Sequence, residues 1–288
     1  MIPEGLQWLG RAHPDGAAWL ARLPDVLAVC TRRWSLSVGD AYPGLFVSLV
    51  MPATRADGGE AVLKIQFPHP ECEHEAAALA AWDGDGAIRL LDHVPELHAL
   101  LLERCAPGTH LSAADPDEAL RVLTGLLPRL WKPASVPFRS LADEASAWAR
   151  GLPRRWERAG EPCERELVDS AVDLLRSLAG SQREQVLLHQ DLHADNVLAA
   201  AREPWLVIDP KPLVGERAFA IAPIVRSSEL GHSRGRVLHR LDHLTRELAL
   251  DRERARGWAI GQTLAWAFEG SQTFERHVET VRWLVESG

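Results

Sequence analysis

The chain has 288 residues, and its 32 basic and 40 acidic residues give a formal charge of −8, which speaks against a nucleic-acid partner and suits a cationic small molecule. No run of eighteen apolar residues occurs, so no membrane-spanning helix is expected. The four cysteines, Cys30, Cys72, Cys105 and Cys163, form no CxxC pair, and the start "MIPEGLQWLG" lacks a signal-like apolar stretch; both point to a reducing cytoplasm and away from structural zinc.

The first hundred residues read as strand-rich. "WSLSV" (34–38) and "LFVSLVM" (45–51) are short β-like runs separated by "GDAYPG" (39–44). Asp57-Gly58-Gly59 is a hairpin signal before the strand "AVLKIQF" (61–67). Strand alternation puts Val62 and Lys64 on one face and Leu63 and Ile65 on the other. An ammonium there can reach phosphate oxygens while Val62 covers a base, whereas the plain alternative is an exposed strand lysine. "ECEHEAAALAAW" (71–82) turns helical, with acids in its first turn. Glu75, set among small apolar residues, is the acid best placed to hold the Lys64 ammonium; Glu71 and Glu73 compete. "AIRLLDH" and "HALLLER" read as two more strands.

"CAPGTH" (105–110) breaks the pattern, and a domain boundary falls there, dividing residues 1–104 from 105–288. Helical periodicity follows around 117–131, 141–159 and 164–178, and returns after Phe219. Short strands near 185–189, 197–200 and 205–209 interrupt it. The architecture expected is α+β in two lobes, a small β-rich lobe before a larger helical one.

The interruption, "LLHQDLHADNVLAAAREPWLVIDP" (187–210), concentrates the chemistry. Asp191, at the end of a buried strand, can accept a hydroxyl proton. Asn196, five residues on, can reach a metal from the same loop. Asp209 closes a very apolar strand, where a carboxylate invites a divalent cation. Each residue alone fits an ordinary turn or cap; together with Lys64 they form one set. Lysine itself is scarce: Lys64, Lys132 and Lys211 are the only three, in a chain whose usual cation is arginine.

H-x-D-x-x-x-x-N followed by a strand-terminal Asp resembles the catalytic and metal-binding pattern of the protein-kinase-like fold. "HQDLHADNVL…WLVIDPKPLVGERAFAIAP" resembles the aminoglycoside phosphotransferase family, most of all its streptomycin 6-phosphotransferase and hydroxyurea phosphotransferase group. The resemblance implies a two-lobed kinase-like fold and an ATP- and Mg²⁺-dependent transfer of phosphate to a hydroxyl of a small molecule such as streptomycin or hydroxyurea, serving antibiotic resistance. It further implies Asp191 as catalytic base or orienter of the acceptor hydroxyl and Asn196 and Asp209 as Mg²⁺ ligands. Lys64, paired with Glu75, meets the α and β phosphates. The backbone of Glu103 and Cys105 meets adenine, and His189 braces the loop.

The pattern departs from the family in two places. Ala220 stands where the family commonly has an Asp that supports the catalytic loop, and "GDAYPG" is not a glycine-rich phosphate loop. Two other functions remain open on sequence grounds. One is a kinase-fold protein that binds nucleotide without catalysis. The other is a metal-dependent hydrolase using His189, Asp191, His193 and Asp195, which share one face if the segment is an extended strand. Trp258 and Trp266, two of eleven tryptophans, have the eight-residue spacing of a core-facing helix stripe; in a functional reading Trp266 and Glu269 floor a pocket for a cationic acceptor. The sequence carries no signal for the oligomeric state.

Overall fold

The computed structural model describes residues 3–43 and 47–288. It divides into two compact units, Met1–Gly108 with Ala200–Leu206, and Thr109–Ala199 with Val207–Gly288. Against a single cut after residue 104, the first unit runs on to Gly108 and regains a short segment from much later in the chain. Arg202 anchors that segment: its guanidinium donates to Glu103 at 2.8 and 3.0 Å and to the carbonyl oxygens of Gly84 and Ala87 at 2.8 and 3.0 Å.

The strand-rich reading of the first hundred residues omits two helices, α1 (Leu9–Ala12) and α2 (Gly16–Arg33). Pro24 inside α2 imitates a helix stop in the sequence, yet the helix continues through it. The sheet then contains β1 (Ser37–Val38), β2 (Ser48–Thr54), β3 (Glu60–Gln66), β4 (Leu90–Val94) and β5 (Ala99–Glu103), in the order β1-β2-β3-β5-β4 with every pairing antiparallel. Leu45, Phe46 and Gly44 of the expected strand and turn lie outside the described residues. Ala61, Leu63 and Ile65 of β3 join Leu23 and Cys30 of α2 in one core, so Val62 and Lys64 face the other way. The helix after β3, α3 (Glu75–Trp82), begins at Glu75 and not at Glu71.

The second unit is mainly helical. α4 (Pro116–Leu130), α5 (Leu141–Arg158) and α6 (Arg165–Ala179) each bury one stripe; Leu141, Ala145, Trp148, Leu152 and Trp156 form that of α5. After α7 (Ala222–Arg226) and α8 (Arg234–Glu247), α9 (Arg252–Ala265) runs through the centre, buried from Gly257 to Ala265. Two of its glycines let it approach α6: a Cβ on Gly257 would lie 3.0 Å from Leu178 Cδ1, and one on Gly261 2.6 Å from Leu175 Cδ2. α10 (Glu275–Val285) closes the chain.

Among these helices β6 (Arg139–Ser140), β7 (Val186–Leu188) and β10 (Leu213–Gly215) form a small sheet; β8 (Val197–Ala199) and β9 (Trp205–Val207) precede β10 in the chain. β10 pairs antiparallel with β7, setting Leu213 opposite Leu188. That register lays the segment before Leu213 alongside the loop after Leu188. β11 (Phe268–Glu269) and β12 (Gln272–Thr273) make a hairpin before α10.

Candidate active site

In the first unit, Lys64 Nζ donates to Glu75 Oε2 at 2.6 Å, and Gln66 Nε2 donates to the same oxygen at 2.6 Å. Of the three acids weighed, α3 presents Glu75. Lys64 is not an exposed strand lysine: it is 5% exposed and Glu75 1%. Two charges so far from water persist only as a pair. Val62 is half-buried on the same strand face. The Glu103 carboxylate is occupied by Arg202 and by the Arg89 backbone N–H at 2.9 Å, so only its backbone is left for a hinge role. Cys105 is half-buried, and burial together with the nearby Glu103 pushes its thiol up to about 11, which keeps it protonated.

In the second unit, three hydrogen bonds fasten the loop after β7 to the segment before β10. His189 Nε2 meets the Ile208 carbonyl at 2.9 Å, the Lys211 N–H donates to the His189 carbonyl at 3.1 Å, and the Ile208 N–H donates to the Asn196 carbonyl at 2.9 Å. Gln190 and Asp209 turn the chain with φ of 64° and 54°, a left-handed conformation uncommon outside glycine and concentrated at functional sites. β9 stops at Val207, so Asp209 stands in this turn and not at the strand's end.

The register brings Lys211 against Asp191. Lys211 Nζ donates to Asp191 Oδ2 at 2.9 Å, and Arg226 Nη2, from the last residue of α7, donates to Oδ1 at 2.9 Å. Arg226 Nη1 donates to Gln262 Oε1 at 2.6 Å, and Gln262 Nε2 donates to the Gln190 carbonyl at 2.9 Å. The Trp266 ring lies beneath both cations, 4.5 Å from the Arg226 guanidinium carbon and 5.2 Å from Lys211 Nζ. Burial acts to raise the Asp191 pKa, but Lys211 and Arg226 outweigh it and hold the carboxyl well below the usual carboxylate range. The carboxylate is therefore ionised and fixed in direction.

Asn196 Nδ2 donates to the Asp191 carbonyl at 2.9 Å, which fixes the amide on the loop. Burial pushes His189 down to about 4, so the ring is neutral. His193 Nδ1 lies 3.0 Å from Glu229 Oε1, which also accepts the backbone N–H groups of Ala194 at 2.5 Å and Asp195 at 3.3 Å. This shared oxygen ties down the loop.

The hydrolase grouping does not form, because the segment is a folded loop and not an extended strand. His189 points to Ile208, Asp191 to two cations, His193 to Glu229, and Asp195 to Ser112 Oγ. His193, Asp195 and Glu229 do have ligand atoms within 4.8 Å of one another. Two backbone N–H dipoles aimed at Glu229 Oε1 oppose a cation there. Trp258 is fully buried, with Nε1 bonded to Glu216, and belongs to the core. Trp266 is at the site, but its ring packs against the protein's own cations; Glu269 is exposed on the β11–β12 hairpin. Sequence reasoning missed Arg226, Glu229 and Gln262, and gave Lys211 no role.

A sheet carrying a buried Lys–Glu pair and a helical unit carrying the Asp191–Asn196 loop define a protein-kinase-like fold. The sequence profile of the aminoglycoside/hydroxyurea antibiotic resistance kinases matches residues 33–276, and the chain belongs to that family. It is 40% identical over 284 residues to the streptomycin 6-kinase of Streptomyces griseus, covering 94% of this chain and 92% of that one. It is also 40% identical to the hydroxyurea phosphotransferase of Kitasatospora aureofaciens, covering 89% of this chain and 76% of the relative. Among solved structures, a thermostable mutant of aminoglycoside phosphotransferase APH(4)-Ia, in a ternary complex with ADP and hygromycin B, superposes with a TM-score of 0.59 at 16% identity, over 89% of this chain and 94% of that one. No helix among the described residues is long and apolar enough to cross a membrane.

Proposed function

We propose that the protein transfers the γ-phosphoryl group of ATP to a hydroxyl of a small antibiotic, streptomycin or hydroxyurea, in the cytoplasm. The observation that carries this is the Asp191 carboxylate, kept ionised and aimed by Lys211 and Arg226 on a loop that also presents Asn196. In-line transfer needs the acceptor hydroxyl oriented towards phosphorus, and a fixed carboxylate accepting its hydrogen bond supplies that orientation. Lys64, itself held by Glu75, contacts the α and β phosphates, and the backbone of Glu103 and Cys105 receives adenine.

The residues suit Mg²⁺. Asp209 offers a carboxylate and Asn196 an amide oxygen, hard donors of the kind this ion takes, and the Nδ2 bond to the Asp191 carbonyl fixes which end of the Asn196 amide donates. When bound, the ion neutralises charge on the phosphates.

The test is ATP consumption by the full chain with streptomycin, hydroxyurea, hygromycin B and simple amino sugars, with mass detection of the product. One acceptor that gains a phosphate supports the reading. Nucleotide binding without transfer to any of them argues for a binding protein instead.

A further inference from the structure

Arg240, on α8, is 1% exposed, and its four hydrogen bonds all go to backbone carbonyls. Nε and Nη2 donate to the Val225 oxygen at 3.1 and 2.9 Å. Nη1 donates to the oxygens of Leu230 and Gly231 at 3.1 and 2.8 Å. Among the described residues no carboxylate accepts from it, although a charge at this depth is costly unless it is paired. Burial, with Arg236 nearby, pulls its pKa down to about 10, which leaves it charged at neutral pH. Every nitrogen of the guanidinium is engaged, in a planar fork that a lysine cannot reproduce.

The three carbonyls enclose one short segment. Val225 immediately precedes Arg226, the last residue of α7, and Leu230 immediately follows Glu229 in the 3-10 turn Ser228–Leu230. Arg226 and Glu229 both reach the Asp191 loop: Arg226 through Asp191 Oδ1 at 2.9 Å, Glu229 through His193 Nδ1 and the N–H groups of Ala194 and Asp195. The backbone on both sides of the pair is therefore fixed to one buried group. The carbonyls at a helix end need partners, and the Val225 bonds alone supply that for α7. The Nη1 bonds lie beyond the pair and do more than a cap requires. The Leu230 oxygen also accepts from Arg236 Nε at 3.3 Å, so the bonds to Val225 and Gly231 are the part of the clamp that Arg236 does not share.

We propose that Arg240 is a positioning residue for phosphoryl transfer, clamping the backbone on either side of Arg226 and Glu229 so that both hold the Asp191 loop in place, an assignment that rests on the phosphotransferase reading above. At 1% exposure it reaches neither nucleotide nor acceptor, and it acts through those two side chains. Without the clamp, Arg226 is free to turn from Asp191 and Glu229 from the Ala194 and Asp195 N–H groups. A shift of about 1 Å in the loop costs roughly 100-fold in rate. The Lys64–Glu75 pair lies in the other unit, so nucleotide affinity is little affected.

The test compares the full chain as wild type, Arg240→Met, Arg240→Lys, Glu229→Ala and the Arg240→Met/Glu229→Ala double variant, each at a temperature where melting curves show it folded. Arg240→Met should lower kcat about 100-fold with KM for ATP within about threefold. Amide exchange at Ala194 and Asp195 should speed up by a larger factor than in α6, which separates local loosening from a fall in global stability. The double variant should lose less kcat than the product of the two single losses, because both act on the same loop. Arg240→Lys, which keeps the charge but not the fork, should fall between wild type and Arg240→Met in kcat and in exchange. A folded Arg240→Met in which Ala194 and Asp195 speed up no more than α6 overturns the proposal whatever its kcat, since Arg240 then serves stability alone. If Arg240→Met does not fold, Arg240→Lys carries the readout, and wild-type kcat and exchange in that variant overturn the proposal equally. A wild type that transfers phosphate to no acceptor sinks the phosphotransferase reading itself, while amide exchange still reports whether the clamp holds the loop.

Discussion

Lys64 and Glu75 meet at 2.6 Å, with side chains 6% and 1% exposed. At that depth, removing one partner leaves an uncompensated charge, which costs about 3–5 kcal/mol. Lys64→Met should therefore melt well below the wild type as well as lose nucleotide affinity. Adding Glu75→Gln removes the stranded charge and keeps a partner for Gln66, so the double variant should regain most of the melting temperature but none of the ATP-induced stabilisation. Calorimetry with and without ATP separates the two effects. An unchanged melting temperature in Lys64→Met means that the pair does not stabilise the fold.

Asp191 is the second test. Asp191→Asn preserves shape and removes the charge, so kcat should drop by about 10²–10⁴-fold while ATP affinity changes little. The same variant leaves Lys211 and Arg226 facing a neutral amide, and its melting temperature should fall. Asp195→Asn is the control, since Asp195 is exposed and its carboxylate meets Ser112. Steady-state kinetics decide, and a near-normal kcat in Asp191→Asn sinks the assignment.

The third prediction concerns acid. His189 Nδ1 accepts the Asp191 backbone N–H at 3.3 Å while Nε2 faces the Ile208 carbonyl, so the ring has one tautomer and no room for a second proton. Burial lowers its pKa from 6.5 to about 4. Below pH 6.5 the unfolded chain binds this proton and the folded chain does not, so the stability present at neutral pH is lost as pH falls towards 4. Between pH 7 and 5 the loss from this ring alone is about 2 kcal/mol. His189→Gln should show a shallower fall in melting temperature over that range than the wild type, and parallel curves contradict the assignment.

How much of this site the sequence shows depends on sequence distance. His189, Asp191 and Asn196 lie within one loop, so their spacing alone displays them, and Lys64 is visible because β3 alternates. Glu75 is separable from Glu71 and Glu73 by its small apolar neighbours. The rest has no local signature. Arg226 lies thirty-five residues from Asp191, and Gln262 lies thirty-six residues beyond Arg226. α7 and α9 bring them in through tertiary packing that no period reveals. Lys211 carried one sequence signal, the rarity of lysine, and the β7–β10 register turns that into a contact. In the first unit, α2 was hidden by Pro24, whose helix-breaking tendency is overridden by burial of Leu23 and Cys30.

Glu229 gives the last prediction. One oxygen of its carboxylate gathers His193 Nδ1 and the N–H groups of Ala194 and Asp195, three donors from the turn that leads to Asn196. Burial acts to raise its pKa, but the His193 partner and the Ala194 N–H outweigh that and keep it charged; in turn His193 is held above its ordinary value, its burial outweighed by Glu229 and Asp191. Glu229→Ala leaves those donors without their acceptor, at a cost of about 1–3 kcal/mol for each that stays buried. The consequence for the reaction is positional, since the loop that carries Asp191 and Asn196 is loosened and a shift of about 1 Å costs roughly 100-fold in rate. Glu229→Ala should lower kcat on that scale with KM for ATP near wild type, and should speed amide hydrogen exchange at Ala194 and Asp195. Glu229→Gln, which retains an acceptor oxygen, should recover most of the exchange protection and part of kcat. Exchange rates at these two amides that do not change in Glu229→Ala would show that the loop is held by other contacts, and any loss of kcat would then have a different origin.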